Sequence, residues 1–108
     1  MDKIKRPVYN KLPDQVRVLG KIFKIRYMKD DEWTDADGLM QLDSQDILVR
    51  EKTALGYMQD TLLHETIHAI DETLVTGMTE QQVSNIASVL LAVLKDNPEF
   101  TKWILQNE

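Results

Sequence analysis

The chain contains no cysteine, which excludes disulfides and thiolate metal sites. It has no apolar run near the roughly 18 residues that a membrane-spanning helix requires. The first residues, Met1-Asp2-Lys3-Ile4-Lys5-Arg6-Pro7, are basic, but no apolar stretch follows them, so they do not read as a secretory signal. These absences point to a cytoplasmic protein with no membrane partner. Positive charge is in short supply: 13 Lys and Arg stand against 18 Asp and Glu, for a net charge of −5. A general nucleic-acid binder normally shows a basic face, so that class is disfavoured. Lys3, Lys5, Arg6 and Lys11 are a local exception. They read either as an arm that docks on an acidic partner or as a solvated, frayed terminus.

What is present suits a single domain over residues 1–108, with residues 1–13 as an extended arm. A hydrophobic share of 43% is enough for a core. No internal repeat or low-complexity segment interrupts the chain. The first half carries strand periodicity and the second half helix periodicity, an α+β order. Val16 and Val18 alternate over Gln15–Leu19, and Phe23, Ile25 and Tyr27 alternate over Ile22–Met28, with a turn expected at Gly20-Lys21. A polar loop brackets Trp33. A second hairpin is expected from Leu39–Leu42 and Ile47–Arg50 around Asp43-Ser44-Gln45. The two hairpins should form a small antiparallel or mixed sheet.

From Thr53, a reasonable N-cap, the apolar positions fall near helical spacing through Leu55, Met58, Leu62, Ile67, Ile70 and Leu74, and Gly77 is expected to end the run. Thr79 and Gln82 form a capping box for a second helix, with Val83, Ile86, Ala87, Leu90 and Leu94 as its apolar stripe. Asn97-Pro98 stops it and opens a short third helix that Phe100, Trp103 and Ile104 should pack down.

Both histidines of the chain stand in one motif, His64-Glu65-Thr66-Ile67-His68. On a helix, residues i and i+4 lie one turn apart on one face, so two imidazoles can bind one Zn²⁺. A catalytic zinc site expects a third protein ligand, which here must be a carboxylate. Asp71 and Leu74 stand where a continued H-x-x-G-x-x-H motif would need Gly and His. Glu72 lies on the histidine-bearing helix, roughly 12 Å along its axis from His64, and closes a tetrahedron poorly. Glu80 opens the next helix, which a short connection folds back against the first. It shares a face with Val83, Ser84, Ala87 and Leu91, and small Ala87 permits close approach. The metal ligands are therefore read as His64, His68 and Glu80. A glutamate at that position would also stabilise the helix dipole with no metal at all. Asp71 reads either as an acceptor for an imidazole N–H or as a partner for a surface Lys or Arg.

The stretch Thr61-Leu62-Leu63-His64-Glu65-Thr66-Ile67-His68-Ala69-Ile70-Asp71 resembles the active-site helix of small phage and bacterial zincins, the minigluzincins and ImmA/IrrE-type metallopeptidases. Glu80-Gln81-Gln82-Val83-Ser84-Asn85-Ile86-Ala87 resembles their glutamate helix, and the likeness in element order covers roughly residues 14–95. In thermolysin-like gluzincins the ligand Glu lies farther downstream, where this chain has Ala87-Ser88. The resemblance implies an upper-rim strand, either Leu39–Leu42 or Ile47–Arg50, along which a peptide would lie as an added strand.

The expected function is a zinc-dependent metallopeptidase, an endopeptidase acting on protein or peptide substrates. Zinc lowers the pKa of a bound water toward about 7 and Glu65 serves as general base. Zincins commonly add a His, Tyr or Arg donor; Tyr57 and Tyr27 are the available phenols. The competing reading is a zinc-binding regulatory or interaction protein without turnover. The intact Glu65 and the lack of cysteine speak against a purely structural zinc.

Overall fold

The structure, a computed structural model, describes residues 12–29, 36–51 and 54–107. The basic cluster at Lys3, Lys5, Arg6 and Lys11, the Trp33 loop centre and Thr53 lie outside the described residues. Of the expected arm over residues 1–13 only Leu12 and Pro13 are described: Leu12 packs on the core, and Pro13 O accepts a 2.8 Å hydrogen bond from the Tyr27 hydroxyl.

Four strands and three helices follow in the order β1 (Gln15–Val18), β2 (Lys21–Met28), β3 (Gly38–Gln41), β4 (Asp46–Arg50), α1 (Leu55–Leu74), α2 (Glu80–Asp96) and α3 (Pro98–Ile104). Both hairpins form as the alternation requires. Val16 pairs with Phe23 across β1 and β2, and Met40 with Ile47 across β3 and β4. The hairpins then join edge to edge through a parallel pairing of β2 with β4, giving a mixed sheet in the order β1-β2-β4-β3. β3 is thus an edge strand and β4 an interior one.

The first turn sits one position earlier than expected. Val18 pairs with Lys21, so the loop is Leu19-Gly20, and both residues have positive φ, 50° and 84°. That is the type I′ geometry that matches strand twist, and it places an ordinary side chain in the left-handed region.

Val18, Phe23, Ile25, Met40, Ile47 and Val49 form the apolar face of the sheet, and α1 covers it with Met58, Leu62 and Ala69. A different side of α1 presents Leu63 and Ile67 to Val83 and Ala87 of α2, with Met78 closing the end. α1 is therefore the middle layer, between the sheet and α2. Its N-cap is Ala54, with no side-chain hydrogen bond, and no acid stands in its first turn. Packing on two sides, rather than capping, holds it. It stops at Leu74, with Val75 rather than Gly77 in the left-handed cap conformation.

The capping box of α2 is complete: Gln82 N–H donates to Thr79 Oγ1 at 3.1 Å, and Thr79 N–H donates to Gln82 Oε1 at 2.9 Å. Pro98 opens α3 as expected.

The expected core is too large on the helical side. Ile86, Leu90, Phe100, Trp103 and Ile104 are exposed, as are Ile70 and Leu74, and α3 buries no residue. The reason is the layering: α2 turns its Val83 and Ala87 face to α1, and among the described residues no further layer covers the rest.

Leu19→Asn is expected to stabilise the fold. Asn tolerates left-handed φ where a left-handed leucine costs about 1–2 kcal/mol, and exposed Leu19 gives up little packing. A gain of about 1 kcal/mol, or about 4–8 °C in melting temperature, should appear in thermal denaturation. An unchanged or lower melting point would show that the turn carries no such strain.

Candidate metal centre

The side of α1 left between the sheet-facing and α2-facing sides carries Tyr57, Thr61, His64 and His68. The i, i+4 spacing predicted one shared face, and the rings lie edge to face with centroids 4.9 Å apart. Each is about one-fifth exposed. Glu80, the first residue of α2, reaches across from the neighbouring helix. Its Oε2 lies 2.7 Å from His64 Nε2 and its Oε1 lies 2.9 Å from His68 Nε2. One ligand atom from each of His64, His68 and Glu80 falls within 4.8 Å of the others.

These three residues fit a divalent metal ion. Two imidazole nitrogens and one carboxylate oxygen suit zinc, and the same donor set also suits ferrous iron. The Glu80 side chain is 68% exposed, so it can swing outward to admit an ion between itself and the rings. The arrangement brings together all three of the expected ligands. Glu72 lines a hollow that His64, His68 and Glu80 also line, but it is not among the three residues whose ligand atoms come together.

Glu65 points to the sheet side and is 7% exposed. Burial raises its carboxyl pKa above the usual range. His64 and His68 act in the opposite sense, Glu80 raises it further, and a hydrogen bond from Met40 N–H lowers it. A buried carboxylate needs such a donor, and β3 supplies it from its backbone. Arg50 N–H donates to Asp37 O at 2.8 Å on the β4 side. Alternation then turns the backbone groups of Gly38 and Met40 toward the free edge, where Glu65 lies.

Gly38 was not singled out by its sequence context. A Cβ there would meet Thr61 Cγ2 at 2.7 Å and Glu65 Cγ and Oε2 at 3.0 Å. The missing side chain is what lets β3 press onto α1 beside Glu65. The start of β3 is fastened on both flanks. The Arg50 guanidinium donates to Ala36 O at 3.0 Å and faces Asp37 at 3.6 Å, while the Tyr57 hydroxyl donates to the Asp37 carboxylate. That bond raises the Tyr57 pKa. The only sequence signal was a glycine placed directly before the alternating run.

A cleft of about 320 Å³ runs beside the cluster, lined by Asp37, Gly38, Tyr57, Asp60, Thr61, His64, Glu65 and Glu80 among others. Of the two phenols, Tyr57 lines this cleft. Tyr27 is tied to Pro13 and lines a separate apolar hollow, and burial with the nearby Asp14 charge pushes its pKa up to about 12.

Asp71 departs from both of its expected roles. Its Oδ1 accepts from Met78 N–H at 2.9 Å, and its backbone oxygen accepts from Val75 and Thr76 N–H. It braces the α1–α2 connection, which in turn sets where α2 begins. A second tie between these helices is the 3.1 Å bond from Ser88 Oγ to Asp60 Oδ1.

No protein-family model matches the chain, and neither a curated protein nor a solved structure shows significant similarity to it. Among the described residues no helix is long and apolar enough to cross a membrane.

Gly38→Ala should cost about 1–3 kcal/mol through overpacking. Urea denaturation of Gly38→Ala, Thr61→Ser and the double variant closes a cycle. Removing Thr61 Cγ2 should recover part of the loss, a coupling of about 0.5–3 kcal/mol. Purely additive effects would show that the closest contact does not govern the fit of β3.

Proposed function

We propose that this chain is a zinc-dependent metallopeptidase that hydrolyses peptide bonds with Glu65 as general base. The observation that carries the reading is the convergence of His64, His68 and Glu80 from two helices, with the buried Glu65 beside them and an open strand edge alongside. A metal needed only for structure would leave Glu65 without a task, and a buried carboxylate costs stability.

When bound, zinc would supply Lewis acidity, polarising a scissile carbonyl and acidifying a coordinated water. The chain's own residues do the rest. His64 and His68 present Nε2 atoms, and Glu80 presents its carboxylate, from opposite sides of one opening. Glu65 takes a proton from the attacking water and returns it to the leaving amine. β3 holds that carboxylate through Met40 N–H.

The substrate would be a protein or peptide segment in extended form. β3 is the edge of the sheet, and Gly38 and Met40 turn backbone groups outward beside Glu65. A peptide added along that edge brings its own carbonyls past the metal centre. β4, the other strand considered for this rim, is interior and paired on both sides.

The test is metal analysis of the purified protein together with cleavage of a peptide library. One zinc per chain is expected. Glu65→Gln should keep the zinc and lose about 10²–10⁴-fold in turnover, whereas His64→Ala should lose the metal. Wild-type turnover by Glu65→Gln would refute the base assignment. Stoichiometric zinc with no cleavage of any library member would leave a zinc-binding protein without turnover.

Metal removal should separate this centre from one required for folding. The main core, around Phe23, Ile47 and Val49, lies between the sheet and α1 and is complete without an ion. Chelation should therefore lower the melting temperature by about 15–30 °C while leaving the far-UV circular dichroism folded, since tight binding adds about 4 kcal/mol by mass action. A random-coil spectrum after chelation would overturn this account.

A further inference from the structure

The helical half of the molecule carries more apolar surface than its packing uses. On α2, Ile86, Val89, Leu90 and Val93 recur at helical spacing, and all are exposed, Val89 at 61%. They widen the apolar stripe beyond Val83 and Ala87, which are fully buried against α1. α2 thus carries a wider apolar stripe than α1 covers. α3 adds further exposed apolar side chains at the end of α2. Thr101 Oγ1 is bound to Leu94 O and Asn97 Nδ2 to Val93 O, which fixes α3 against the end of α2. Phe100, Trp103 and Ile104 remain exposed there, Trp103 at 66%.

Two quantities say what covers this surface. The first is area. These seven side chains expose on the order of 700 Å², above the largest apolar patch of a typical monomer and close to one partner's share of a standard interface. The second is charge. From Gln81 to Leu94 there is no charged side chain, although 29% of the whole chain is charged. Depletion of charge marks the centre of a protein interface. It also suits one partner in particular. A chain of net charge −5 repels its own copies across most of its surface, and this stretch is where two copies can meet without opposing like charges. An anionic lipid surface would be met by the same net repulsion.

We infer that the α2–α3 face is the interface of a homodimer, formed by two copies of this chain packing their Ile86–Val93 and Phe100–Ile104 surfaces together. The contact is isologous, the same face on both copies. It leaves the cleft between β3 and α1 open, because that cleft is lined from the sheet side and from the first residue of α2. The assignment stands independently of the proposed peptidase activity.

Sedimentation equilibrium on the full chain, over a micromolar to hundred-micromolar series, tests it. Wild type should sediment at twice 12.5 kDa. Val89→Glu and Trp103→Glu, both at exposed positions, should keep the wild-type circular dichroism. Each should weaken self-association by about 100-fold or more, since an interfacial Trp or a buried charge is worth over 2 kcal/mol. Wild type remaining at 12.5 kDa throughout the series would overturn the inference. So would either folded variant associating as tightly as wild type, which would place any dimer on another face.

Discussion

The structure depends on α1 being packed on two sides at once. Its sheet-facing side meets Phe23, Ile25, Ile47 and Val49, and another side meets Val83 and Ala87. The helix begins at an N-cap that makes no side-chain hydrogen bond, so its position comes from burial rather than from its ends. One of the flanks left between these two sides carries both histidines. Because the helix can neither roll nor slide without exposing one apolar side, the imidazoles hold their direction before any metal arrives. That is the preorganisation a metal centre needs. It comes from hydrophobic contacts that do not include the ligands.

Glu65 shows the cost of this arrangement. It stands where α1 turns from the cleft toward the core, and burial disfavours its charge. β3 answers with one backbone N–H and with a glycine that leaves room for the side chain. The strand is in turn anchored by Arg50 and Tyr57 at Ala36 and Asp37. The buried acid, the close strand and the clamp at its start form one unit, and each member is of little use without the others. A fold selected only for stability would place an apolar residue at Glu65 and dispense with all three.

How much of this could be read in advance follows how local each signal is. The hairpins announce themselves by alternation, the second helix by its Thr79–Gln82 box, and the two clustered imidazoles by their spacing. Glu80 followed from elimination and reach, because no other acid could approach the histidines from a separate helix. Asp71 was misassigned because its partner is the backbone N–H of Met78, which has no identity in sequence. Gly38 was overlooked because its role is a distance between elements far apart in the chain. The apolar pattern of α2 showed a helix but not which side would face α1. Val83 and Ala87 face inward, while Ile86 and Leu90, expected beside them, are exposed. Periodicity counts apolar residues and does not say how much of a wide stripe is covered.

The connection from Val75 to Thr79 deserves a different description from that of a loop. Surface connections ordinarily accept insertions and deletions freely. This one acts as a gauge. The length of the connection sets where α2 begins, and Glu80 stands at the first position of that helix. The bond from Met78 to Asp71, with the left-handed residues Val75 and Gly77, locks the count. The approach of Glu80 to the two histidines is therefore encoded partly as a number of residues.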